Sequence, residues 1–80
     1  MELSDFEDYI KVYPFNVLRY ILEEFLNLKL MVKSTEDRRK RPVYEEVWDI
    51  KKTFSLGILI QTTRLGWVKI DTCTFKLEKI

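Results

Sequence analysis

The sequence predicts an α+β fold, with one or two N-terminal helices packed on one face of a three- to four-stranded antiparallel sheet. Three observations carry this. Apolar residues recur at helical spacing from Phe15 onward. After Pro42 the composition turns to Val, Ile, Thr, Phe and Trp, the residues that fit a pleated surface. Within that part, Phe54, Leu56, Ile58 and Ile60 alternate, which gives an amphipathic helix an apolar face to cover.

The first element is expected over about residues 5–12. Ser4 followed by Glu7 is a capping-box pattern, and acids in a first helical turn suit the helix dipole. A strand through Tyr9–Tyr13 is the competing reading. Pro14 disfavours helical geometry at Tyr13 and is well placed to start a second helix. That helix is expected over about 15–30, with Val17, Leu18, Ile21, Leu22, Phe25, Leu28 and Val32 on one stripe. Leu26, Leu30 and Met31 widen the apolar face, as a dimer interface would. Alternatively the helix stops near Asn27, and 28–33 alternates as a strand.

Residues 33–42, KSTEDRRKRP, read as a polar basic loop between an acidic helical part, 1–32, and a basic sheet part, 43–80. Residues 43–50 suit either a strand or a helix presenting Tyr44, Val47 and Trp48. The clearest strand is 53–63, with Gly57 marking a bulge or a close backbone approach. A tight turn at Arg64–Gly66 leads to a strand with Val68 and Ile70 on one side and Trp67 and Lys69 on the other. A further turn near Asp71–Thr72 leads to Phe75, Leu77 and Ile80, completing an antiparallel meander.

Eighty residues make a single domain. Cys73 is the only cysteine, so neither an internal disulfide nor a multi-thiolate metal site is possible, and a reducing, cytoplasmic setting is favoured. The acidic N-terminus is unlike a signal peptide, and no apolar run is long enough to span a bilayer. Abundant Lys and Glu with few amides leans toward a thermophilic source.

The chain has no histidine, which removes the commonest general base and the usual partner of a nucleophilic cysteine. Two glycines cannot build a phosphate-binding glycine loop. Glu23–Glu24 and Glu45–Glu46 are sequence neighbours that point apart, and Asp5, Glu7 and Asp8 lack the spacing of a calcium loop. The expectation is a non-catalytic protein without cofactor or metal.

Charge is distributed unevenly. Residues 1–27 hold six acids and two bases, a net of −4; residues 28–80 hold seven acids and twelve bases, a net of +5. Lys33 and the run Arg38-Arg39-Lys40-Arg41 can reach phosphates from a loop. Lys51, Lys52, Arg64 and Lys69 would extend the basic track, with Lys76 nearby. Trp67 and Leu59, with Val47, would lie on the sheet face turned away from the helix, where an aromatic can stack on a base. The plainer reading of the loop is a solvated connection, and of Trp67 and Leu59 a packing surface. Two functions follow from these residues. One is a small nucleic-acid-binding accessory protein. The other is a protein–protein module, a homo-oligomer (for example a homodimer) or a small inhibitor or adaptor of a larger complex, using Leu59, Trp67, Leu26, Leu30 and Met31.

Overall fold

The computed structural model describes the backbone of residues 3–80 and the side chains of residues 8–80. The expected capping box of Ser4 and Glu7 and the carboxyls of Asp5 and Glu7 lie outside the described residues. Helix α1 covers Leu3–Val12 and buries Ile10. Pro14, in extended conformation, breaks the chain, and its carbonyl accepts the amides of Val17 and Leu18 as α2 begins. Helix α2 covers Phe15–Tyr20 and runs on as a wider π-helical turn, Ile21–Phe25.

The second helix is shorter than expected. Asn27 adopts φ 53°, a left-handed conformation that asparagine tolerates and that ends helices. The alternating residues after it form strand β1, Leu28–Ser34, so the strand alternative for this segment holds. The expected single stripe also divides. Leu18 and Leu22 are buried and Phe15 packs beside them, whereas Val17, Ile21 and Phe25 face outward.

Five further strands follow: β2, Glu45–Glu46; β3, Asp49–Thr53; β4, Gly57–Thr62; β5, Gly66–Lys69; and β6, Cys73–Lys79. The α+β class and the antiparallel pairing are as expected. The strands form two three-stranded sheets, β2-β1-β6 and β3-β4-β5, where one meander had been expected. Segment 43–50, open between helix and strand, is extended and turns the corner between the sheets. The Val47 amide donates to Leu30 O at 3.0 Å in the first sheet, and the next amide, Trp48, donates to Gln61 O at 2.8 Å in the second. Such bends let sheets pack face to face at a steep angle. The second corner is a 3-10 turn, Ile70–Thr72, after which β6 pairs with β1 along its whole length, from Leu28↔Lys79 to Ser34↔Cys73.

Both hairpins of the second sheet use the same turn, T-x-x-L-G. In Thr53-Phe54-Ser55-Leu56-Gly57 the threonine Oγ1 accepts the Leu56 amide at 3.0 Å. In Thr62-Thr63-Arg64-Leu65-Gly66 the Thr62 Oγ1 accepts the Leu65 amide, also at 3.0 Å. Gly57 and Gly66 close the two turns at φ 75° and 67°, which side-chain-bearing residues rarely adopt. Gly57 therefore starts β4 rather than bulging inside it. Phe54 and Leu56, expected to face the helix, sit in the turn and are exposed.

Helices and sheets meet in one core: Ile10, Leu18, Leu22, Leu30, Val32, Val47, Ile60, Val68 and Phe75. Val47 belongs to this core and not to an outer sheet face as expected. Ile58 and Ile70 pack against it. Each fully buried aliphatic or aromatic side chain contributes about 1.5–3 kcal/mol relative to exposure.

Candidate nucleic-acid interface

The ten-residue connection between β1 and β2, residues 35–44, is organised by its acids. Asp37 has only 8% of its surface exposed, and its Oδ1 accepts the Arg39 amide at 3.0 Å. The Arg39 guanidinium donates back to both Asp37 oxygens and also to Glu45 Oε2 at the start of β2. This clamp closes the loop on itself. The hydrogen bonds from Arg39 hold the Asp37 carboxyl well below its ordinary range, down to about 2, and the carboxylates raise the Arg39 pKa in turn. At the loop base, Ser34 Oγ and Thr72 Oγ1 share a hydrogen bond of 2.8 Å, and the Thr35 amide donates to Thr72 O.

Arg39 is thereby tied to two carboxylates, with its side chain still 32% exposed, and is a loop-forming residue rather than a free cation. Arg38, Lys40 and Arg41 remain exposed on the same loop. The β4–β5 turn brings Arg64 against it. Arg38, Arg39, Arg64 and Leu65 line one groove of about 460 Å³ with Glu36 and Asp37, and the charge of Arg64 also helps to hold Asp37 ionised. Residues far apart in sequence thus converge on one basic rim.

Beyond Arg64, β5 leads onto the outer face of the second sheet. Register sets Lys51, Leu59 and Lys69 in one row and Asp49, Gln61 and Trp67 in the next. Leu59, in the row of Lys51 and Lys69, is 8% exposed although it lies outside the main core. Trp67 is 39% exposed, and Lys51 Nζ lies 5.2 Å from its ring centroid. A cation–π contact of this kind is worth about 0.5–1 kcal/mol at an exposed site.

Other expected members fall elsewhere. Lys52 donates from Nζ to the carbonyls of Lys11 at 2.9 Å and Tyr13 at 3.5 Å, so it caps the end of α1. Lys33 and Lys76 lie on the first sheet, with Nζ 5.0 and 4.5 Å from the Tyr44 ring centroid. Lys76 is therefore not beside Trp67, and it also meets Glu78 at 3.7 Å. Tyr44 went unassigned in the sequence because nothing in its spacing shows that two lysines from paired strands will reach it. Of the expected protein interface, Leu30 is buried in the core, Met31 is half-buried, and Leu26 is 45% exposed after the second helix.

The helices carry an exposed apolar surface, of which only Val17, Ile21 and Phe25 were expected to face the sheet. Tyr9, Val12, Tyr13, Val17, Tyr20, Ile21 and Phe25 are all exposed, and Tyr20 and Phe25 meet edge to face at 5.7 Å. Burial pushes the Cys73 thiol up, and Sγ donates to Lys69 O at 3.3 Å, so the group is a poor nucleophile. Among the described residues no group of His, Cys, Asp and Glu is placed to hold a metal, and no helix is long and apolar enough to cross a membrane. The chain matches no protein-family model, no curated protein and no solved structure.

Proposed function

We propose that this protein is a non-catalytic accessory that binds nucleic acid along the rim formed by Arg38, Lys40, Arg41 and Arg64 and the adjoining face of Lys51, Trp67 and Lys69. The observation that carries the reading is that Arg38 and Arg64, far apart in sequence, line one groove. Arginine offers two parallel donors to a phosphate, and two arginines on one concave rim suit a phosphodiester chain. Contacts of this type follow the backbone and carry little sequence information. The uneven charge along the sequence, a net of −4 over residues 1–27 and +5 over residues 28–80, would orient the domain on a polyanion. A reducing, cytoplasmic setting accords with the lone thiol of Cys73.

The test is the double reversal Arg38→Glu/Arg64→Glu, with binding to labelled oligonucleotides followed by fluorescence anisotropy. Affinity is expected to fall at least tenfold at low salt. The salt dependence should flatten by about 0.7–0.9 in log–log slope for each phosphate contact removed. Equal affinity in parent and variant sinks the proposal. Arg39 is left intact, because its loss would undo the loop and confuse folding with binding.

A second reading, a protein–protein module, is favoured by one observation, the exposed apolar helix surface around Tyr20 and Phe25. It predicts that polar residues at these two positions change the solution mass or the capture of a partner.

A further inference from the structure

We infer that the nucleic acid is single-stranded and that one of its bases stacks on Trp67, an inference that rests on the polyanion reading above and adds the class of ligand to it. Trp67 is a large aromatic on an open sheet face, 39% exposed, where the main core cannot claim it. Its cross-strand partner is Gln61, and Lys51 leans over its ring from β3. Leu59, in the neighbouring row of the same face, is buried. An indole flanked by ammonium groups offers a π-face to a base and cations to the phosphates on either side of it. The bases of an intact duplex are already stacked on one another and cannot use such a platform, whereas those of a single strand can.

The path of the strand follows from the chain. Trp67 stands three residues beyond Arg64, just past the Gly66 turn of the same hairpin, a span of at most roughly 10 Å. A single strand with one base on Trp67 therefore has its next phosphates within reach of the Arg38–Arg64 groove. The groove anchors the backbone and the indole reads the presence of a base without reading its identity.

The experiment uses the full chain with Trp48→Phe, which leaves Trp67 as the only tryptophan. Three probes are titrated: a short oligothymidylate, a mixed-sequence duplex, and heparin, a polyanion without bases. Oligothymidylate is expected to quench the Trp67 fluorescence, and heparin to bind without quenching. Trp67→Ala is expected to weaken oligothymidylate roughly five- to hundredfold while leaving heparin unchanged. Should Trp67→Ala fold poorly by circular dichroism, the quenching comparison in the Trp48→Phe protein decides alone. Oligothymidylate binding without quenching, or a duplex held as tightly, overturns the single-strand inference and leaves the polyanion reading standing. Failure of all three probes to bind at low salt overturns both.

Discussion

At the residue scale, the clearest division is among cations that look alike in the sequence. Arg38 and Arg39 are neighbours that line the same groove, yet Arg38 is exposed and Arg39 is held by two carboxylates. Lys51 and Lys52 are neighbours, yet one lies over Trp67 and the other caps α1. The clamp also makes a pH prediction. Arg39 lowers the Asp37 pKa in the folded protein to about 2, against about 3.9 for an unfolded aspartate. A carboxyl depressed on folding stabilises the protein above its unfolded pKa, and that contribution disappears as pH falls from about 4 toward 2. Asp37→Asn is therefore expected to lower the melting temperature at pH 7. The gap between parent and variant should narrow as the pH approaches 2. Melting curves across that range check this, and a constant gap would show that the clamp does not carry the acid sensitivity.

At the scale of elements, the repeated T-x-x-L-G turn sets the second sheet. Each turn needs a threonine hydroxyl to accept an amide and a glycine with positive φ to close. A Cβ at Gly66 meets no atom within 4 Å, so the cost of substitution is conformational and not steric crowding by neighbours. Gly66→Ala is expected to destabilise by about 1–2 kcal/mol, the cost of a left-handed conformation. Gly66→Asn should cost less, because asparagine visits that conformation more readily. Thermal unfolding of the two variants separates these outcomes. The same rule explains the end of the second helix, where Asn27 turns the chain before β1. Gly66 also closes the turn that carries Arg64 and starts the strand that carries Trp67.

At the scale of the whole molecule, two surfaces compete for a functional role. The basic rim and lysine-bearing sheet face lie toward the C-terminal part, and the apolar helix surface lies toward the acidic N-terminal part. An exposed run of aromatic and aliphatic side chains on adjoining helices is more than scattered surface hydrophobicity. If it docks a second copy, the parent should sediment as more than one chain. Tyr20→Ser/Phe25→Ser should then reduce it to a monomer without loss of oligonucleotide binding. A monomeric parent with no partner captured through these residues removes the protein–protein reading and leaves the basic rim as the functional surface.

Much of the local structure was legible in the residues themselves. Pro14 separates two helices because of its own geometry, β-branched and aromatic residues mark the sheet part, and Ile58, Ile60, Val68 and Ile70 turn inward as their alternation implies. The absence of histidine and the single cysteine are likewise properties of the sequence alone. The cations of the candidate site were legible as types but not as roles. Whether Arg39 is free, whether Arg64 lines one groove with Arg38, and whether Tyr44 or Trp67 receives a lysine depend on contacts between residues distant in the chain. The end of the second helix and the split into two sheets were decided in the same way. Residues 28–34 suit a helix or a strand locally, and pairing with β6 along their whole length selects the strand. Local sequence determines which conformations are cheap, and long-range pairing and burial choose among those of similar local cost.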